Sequence, residues 1–196
     1  MTDIPFPLHA RRTIRLSGYD YGQPGAYFVT VCTYQRVCVF GEVTGDVMHR
    51  NALGEIVCEE WLRTAVVRSN ATVEPGDIVV MPNHVHGIVT IAGRGRPRDD
   101  DLQRGQDLRR EAGVPRERGP RGPAPGSLGA IVGQLKSVTT RRVNAFRGTP
   151  GGRLWQRNYY EHVVRDPATL ARIRRYIADN PARWADDANN PSRIRP

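Results

Sequence analysis

Two places in this 196-residue chain bring together side chains whose types and spacing could do chemistry. The first is Ile78-Val79-Val80-Met81-Pro82-Asn83-His84-Val85-His86-Gly87-Ile88-Val89, two apolar runs hinged at Pro-Asn, with two histidines opening the second. Side chains of a strand alternate between faces, so a strand here turns His84 and His86 the same way, onto a face expected to be exposed. Two imidazoles on one rigid face make half a metal site, although the same pair would also serve as ordinary polar residues on a wet face. The second place is Tyr176-Ile177-Ala178-Asp179-Asn180-Pro181. On a helix Tyr176 and Asn180 lie one turn apart, so a phenol and an amide can aim at one point. The alternative is a tyrosine packed beside an apolar stripe and an asparagine that closes the helix before Pro181.

The elements that must position these groups can be read in chain order. Ala26 to Thr33 is β-branched and aromatic throughout and reads as a buried strand. Gly41, Gly45 and Asp46 punctuate a hairpin expected to pair Val37–Phe40 with Val47–His49. From Asn51 to Asn70, Leu53, Val57, Trp61 and Ala65 repeat at helical spacing. Ser127 reads as an N-cap, and Leu128, Ile131, Val132, Leu135 and Val138 form the apolar stripe of a helix ending near Gly148. Leu154 to Arg165 begins and finishes like a strand, and Trp155, Tyr159 and Tyr160 within it suit either a core or the stacking of unpaired bases. Asp166-Pro167 then opens a helix whose core face is Leu170, Ile173 and Ile177.

Composition narrows the partner. The formal charge is +9 and the sequence pI about 10.2, with Lys136 the only lysine. Arginine forks onto phosphate oxygens, so a polyanion is the expected partner. Lys136, Arg141, Arg142, Trp155 and Arg157 are the candidate contacts to such a partner, with nucleic acid, DNA included, favoured over a membrane. No apolar run is long enough to span a bilayer, and residues 1–12 carry no secretory pattern, so a cytoplasmic protein, nucleoid-associated in a bacterium, is expected. Cys32, Cys38 and Cys58 show no CxxC spacing, which argues against a disulfide framework or zinc knuckle. The domain plan is a tail over 1–24, one catalytic domain over 25–181 and a second tail over 182–196. A Gly/Pro/Arg-rich loop, expected to be disordered, interrupts the domain at 93–126.

Pro82-Asn83-His84-Val85-His86-Gly87 resembles the HUH motif of single-tyrosine transposases. Leu154 to Arg165 and Tyr176 to Pro181 are similar to the two C-terminal signatures of the REP-associated tyrosine transposases, and the resemblance runs from about Ala26 to Pro181 apart from the loop. It implies an α+β, ferredoxin-like antiparallel sheet with helices on one face and a C-terminal helix carrying the nucleophilic tyrosine. It further implies His84, His86 and Asn180 as ligands of a divalent metal and Tyr176 as the residue that cuts single-stranded DNA; between a monomer and a helix-exchanging homodimer the sequence leaves the choice open, leaning to the monomer. The long insertion departs from the family pattern and bears on DNA contacts and specificity.

Two imidazoles and an amide oxygen, without thiolates, suit Mg²⁺ or Mn²⁺ held together with phosphate oxygens and water. The activity implied is cutting and rejoining of single-stranded or hairpin (REP-like) DNA through a 5′-phosphotyrosine. Tyr159 and Tyr160 compete with Tyr176 for the nucleophile's role, and Glu161 and His162 are candidates for groups that orient the metal ligands. Two other classes fit some of the same residues. One is a non-cleaving nucleic-acid-binding protein on the same fold. The other is a metallohydrolase using His84, His86 and a third ligand such as His162, which the basic charge disfavours.

Overall fold

A computed structural model describes residues 16, 18–92 and 122–193. The N-terminal tail up to residue 15, with His9, and the greater part of the 93–126 loop lie outside the described residues. Alternating apolar residues build β1 (Gly25–Cys32), β5 (Ile78–Met81) and β6 (His84–Ile91), while β4 (Ala71–Thr72) and β7 (Tyr160–Val164) complete a five-stranded antiparallel sheet. β6 is interior. β1 runs along one edge of it from Gly25↔Ile91 to Cys32↔His84, and the other edge is shared by β5, beside residues 84–87, and β4, beside residues 90–91. β7 adds to the far side of β1. A separate hairpin joins β2 (Gly41–Thr44) to β3 (Val47–Arg50).

The sheet is covered on both faces. On one lie α1 (Ala52–Val67) and α2 (Leu128–Arg147), whose Leu53, Val57, Trp61, Ile131, Val132 and Leu135 meet Tyr27, Val29, Val31, Val85 and Val89 in the main core. Trp61 lies so close to the backbone of β6 that a Cβ at Gly87 would stand 2.2 Å from its ring, so only glycine fits there. On the opposite face α3 (Pro167–Asp179) packs Ile173 and Ile177 onto Phe28 and Ile88, forming a second, smaller cluster. His84, His86 and Ile88 share that face by the two-residue period of the strand. The helix starts follow the sequence expectation: Asn51 accepts from the Leu53 and Gly54 amides, Ser127 caps α2, and Asp166 caps α3 with Pro167 behind it. Gly148, at φ 66°, ends α2 in the left-handed region that glycine tolerates.

Three boundaries differ from the sequence expectation. The hairpin's first strand is Gly41–Thr44 rather than Val37–Phe40, because the amides of Val39 and Phe40 are taken by the Pro82 carbonyl at 2.8 and 3.0 Å. Of Leu154 to Arg165 only Tyr160–Val164 is strand, with Trp155 making an isolated bridge to Thr33. The segment after Pro181 is docked: Pro181–Asp186 is a 3₁₀ helix, and Asp187, Asn189 and Asn190 are buried.

Candidate metal and tyrosine site

His84 and His86 lie side by side on the α3 face of β6 and are almost completely inaccessible, at 0% and 1% exposure. This corrects the expectation of a wet strand face: α3 and the chain that follows it cover the pair. The two Nε2 atoms are 3.0 Å apart. Behind them, His84 Nδ1 meets Asn83 Oδ1 at 2.9 Å and His86 Nδ1 meets Thr30 Oγ1 at 2.8 Å. From α3, the Tyr176 hydroxyl reaches His86 Nε2 at 3.3 Å, with the ring edge-on to both His86 and Phe28. From the docked C-terminal segment, Asp187 Oδ2 comes within 3.8 Å of His84 Nε2. Trp184 closes over the His84 ring, with centroids 6.0 Å apart.

The loop after β1 completes the surround. Gln35 and Arg36 both take left-handed φ values, 54° and 56°, which is costly for residues with a Cβ and is held here by tertiary contacts. The turn they make lets the Arg36 carbonyl accept from Asn83 Nδ2 at 2.9 Å, while its guanidinium donates to the Ala188 carbonyl at 2.8 Å. Asn83 Nδ2 donates also to the Asn189 carbonyl at 2.8 Å, so the histidine turn, the β1 loop and the C-terminal segment are tied at one amide.

Burial sets the electrostatics. It pushes the His84 pKa down to about 3, helped by the charge of Arg36. His86 is driven well below its ordinary value by burial and then by His84, against the opposing pull of Asp187. Both rings are therefore neutral at pH 7 and keep lone pairs for a cation. Tyr176 is raised above its ordinary value, first by burial and then by Asp187, while a hydrogen bond from Asn180 and the charge of Arg183 act the other way. The phenol is therefore protonated at pH 7.

His84, His86 and Asp187 each offer one atom within 4.8 Å of the others and could hold a metal ion. The 3.0 Å between the Nε2 atoms fits two neighbouring ligands set at right angles about 2.1 Å from one ion. Asn180, a turn beyond Tyr176, is buried, and its Oδ1 has no hydrogen-bond partner among the described residues, which suits an oxygen awaiting a cation. The donor set of two imidazole nitrogens, a carboxylate and an amide oxygen thus fits a divalent metal ion.

The other sequence candidates are dispersed. Glu161 stands opposite Val29 in the β1–β7 ladder and so faces α1 and α2, with the sheet between it and the histidines. His162, opposite Phe28, is on the α3 side. Trp155 is core: its indole donates to Thr139 Oγ1 at 2.8 Å and its ring meets Phe40. Lys136 is partly buried and donates to the Gln156 and Arg157 carbonyls, stapling α2 to the chain before β7. Arg142 bridges Glu59 and Glu60 of α1 at 2.7 and 2.6 Å. Arg141 and Arg157 are exposed. Asp187 was missed because it falls in Ala185-Asp186-Asp187-Ala188-Asn189-Asn190-Pro191, where turn-forming residues carry no periodicity to point at a site. Thr30 and Arg36 were missed because only strand register and loop geometry bring them near the histidines.

These features define a class: an α+β protein whose central strand presents a histidine pair to a tyrosine on the helix packed over it. The chain is 32% identical over 184 residues to an uncharacterized protein of Haemophilus influenzae, covering 92% of this chain and 93% of that one, and it belongs to that protein's family. No family model matches it. Among solved structures it is similar to a REP-associated tyrosine transposase bound to a REP hairpin, with 17% identity, a TM-score of 0.47 and coverage of 86% of this chain and 74% of that one. It is also similar to a candidate transposase from Deinococcus radiodurans, with 19% identity, a TM-score of 0.38 and coverage of 84% and 97%. No helix among the described residues is long and apolar enough to cross a membrane.

Proposed function

We propose that this protein is a metal-dependent single-stranded DNA endonuclease and transposase that cuts and rejoins DNA at hairpin sequences through a 5′-phosphotyrosine on Tyr176. The observation that carries this reading is the 3.3 Å approach of the Tyr176 hydroxyl to His86 Nε2, which sets a phenol beside a pair of neutral imidazoles on one face. His84, His86 and Asp187 hold the ion in this reading, with Asn180 as a further oxygen ligand, and the oxygens of Asp187, Asn180 and the DNA phosphate favour Mg²⁺ or Mn²⁺. When bound, the ion neutralises charge on the scissile phosphate and favours the phenolate.

The chain's own groups do the rest. Phe28 and His86 contact the phenol ring and fix its direction, and Asn180 stabilises the phenol oxygen as charge grows on it. The tyrosine oxygen bonds to phosphorus, the bond to the 3′-oxygen breaks, and the 3′-oxygen takes up a proton in place of the one the phenol gives up. The phosphotyrosine conserves the energy of the broken bond, so a 3′-hydroxyl can attack it and reseal the strand. Arg36 and Arg183, whose charges act on His84 and Tyr176, are cations beside the site that flanking phosphates would meet. One chain brings all the site groups together, which supports a monomer as the active unit.

The test is incubation with hairpin oligonucleotides labelled on the 3′ side of the cut, from the DNA flanking its gene, with and without Mn²⁺. A metal-dependent covalent adduct on a denaturing gel, located on Tyr176 by mass spectrometry, is expected. Cleavage without an adduct, or an adduct on Tyr159 or Tyr160, overturns the assignment. DNA binding with neither cleavage nor adduct returns the protein to the non-cleaving class.

A further inference from the structure

The two histidines are held from behind by partners of different chemical kind. Asn83 Nδ2 faces two carbonyl oxygens, those of Arg36 and Asn189, at 2.9 and 2.8 Å. Flipping the amide would set its oxygen against both, so the orientation is fixed and Oδ1 is the atom that meets His84 Nδ1 at 2.9 Å. An amide oxygen only accepts. His84 must therefore carry its proton on Nδ1 and show a lone pair at Nε2, whatever else the site holds.

His86 is under no such constraint. Its Nδ1 partner is the Thr30 hydroxyl, at 2.8 Å, and a hydroxyl can either donate or accept. Two bare Nε2 lone pairs 3.0 Å apart repel. Without a cation the arrangement that satisfies the closer contact is a relay, in which the Thr30 hydroxyl donates to His86 Nδ1, His86 Nε2–H donates to His84 Nε2 at 3.0 Å in preference to the Tyr176 hydroxyl at 3.3 Å, and His84 Nδ1–H donates to Asn83 Oδ1. A cation on both Nε2 atoms needs His86 in its other tautomer, with Nδ1–H donating to a Thr30 hydroxyl that has turned round. All four residues are buried, so water cannot substitute for either partner.

We propose that Asn83 and Thr30 are positioning residues of unlike function: Asn83 locks His84 in one tautomer, and Thr30 lets His86 change tautomer as the site is loaded with metal. Each loading event moves one proton from His86 Nε2 to His86 Nδ1, taken from Nε2 and returned to Nδ1 by water that enters with the ion, so the ring's charge and the number of protons in the site are unchanged. The proposal rests on the metal reading of the site given above and adds to it which imidazole responds.

The test is long-range nitrogen–proton correlation of the imidazoles in ¹⁵N-labelled full-length protein, first free of metal and then with saturating Mg²⁺, alongside a calorimetric Mg²⁺ titration. Metal-free protein should show His84 as the Nδ1–H form and His86 as the Nε2–H form. Mg²⁺ should convert His86 alone. Thr30→Val should lower Mg²⁺ affinity by about ten- to a hundredfold, the range for losing such a supporting hydrogen bond, and Thr30→Ser should restore it. His84 found with its proton on Nε2, His86 unchanged although calorimetry shows Mg²⁺ bound, or Thr30→Val binding like wild type would each overturn the proposal with the metal reading intact. No calorimetric binding of Mg²⁺ or Mn²⁺ by wild type would instead overturn the metal reading, and the loading step with it. The wild-type spectra decide the tautomers even if a variant fails to fold.

Discussion

Arg174 grips Asp77 with both arms of its guanidinium, Nε to Oδ1 at 2.7 Å and Nη2 to Oδ2 at 3.0 Å. The pair ties the tyrosine helix to the turn that leads into the histidine hairpin, ninety-seven residues earlier in the chain. The Asp77 carboxylate is buried while the Arg174 side chain is half exposed, so removing the arginine strands an acid that water reaches poorly. Arg174→Ala should cost about 2 kcal/mol, below the range for a fully buried pair because the arginine is half solvated. Urea denaturation measures it, and the adduct assay should show a lower yield. Unchanged stability would remove this pair as the latch of α3.

Tyr176→Phe deletes one oxygen and keeps the ring that packs against Phe28 and His86. Stability should change by less than about 1 kcal/mol, the worth of one hydrogen bond, and hairpin DNA should bind as before. The covalent adduct should vanish. A Phe variant that still cleaves would mean a water nucleophile.

Replacing the histidines should affect both binding and folding, because they are buried. His84→Ala leaves Asn83 Oδ1 facing a cavity, which should cost about 1–3 kcal/mol, together with loss of Mn²⁺ binding. Calorimetry and chemical denaturation on the same samples separate the two effects. Undiminished Mn²⁺ affinity would exclude His84 as a ligand.

Asp187→Asn keeps an oxygen for the Asn189 amide, which Oδ1 accepts at 2.6 Å, and removes the charge next to His84. Mn²⁺ affinity should fall by about one to two orders of magnitude while the melting temperature of the metal-free protein stays within a few degrees. Equal affinity would leave Asn180 as the third ligand.

The pH dependence of stability follows from the same burial. His84 has a folded pKa of about 3, and His86 is shifted in the same direction from an unfolded value near 6.5. Below about pH 6.5 the unfolded chain binds protons that the folded chain refuses, so stability is full above that pH and falls as pH drops toward the folded values. The slope should approach about 1.4 kcal/mol per pH unit for each histidine. Urea midpoints at pH 7.5, 6 and 5 measure it, and His84→Gln with His86→Gln should flatten the curve. A wild-type curve level between pH 7 and 5 would contradict buried neutral rings.

The parts of the site that a local period encodes were legible in the sequence. The two-residue spacing of His84 and His86 put them on one face, and the four-residue spacing of Tyr176 and Asn180 put them on one side of a helix; the N-caps Ser127 and Asp166 also followed from capping chemistry. Glu161 and His162 are adjacent on a strand and so take opposite faces, and of the two His162 is the one on the α3 side. Composition failed at Trp155 and Arg142, because an aromatic or a cation looks the same in sequence whether it meets DNA, Thr139 or Glu60. Asp187 depended on the path of the chain after Pro181, which passes back over Asn83 through contacts more than a hundred residues apart in sequence.

The two faces of the sheet are unequally fastened. Behind the histidines stands the broad cluster around Trp61, Tyr27 and Phe40, whereas the tyrosine helix is seated by Phe28, Ile88, Ile173 and Ile177 and their few neighbours. Segments that bury little apolar surface open at lower free energy than the whole molecule. Backbone amides of α3 should accordingly exchange with solvent hydrogen sooner than those of α1 or β6, in one cooperative step. In that open state the sheet and its histidine pair persist while the residue that would carry the DNA swings clear, so a covalently held strand could change its surroundings without the fold being lost.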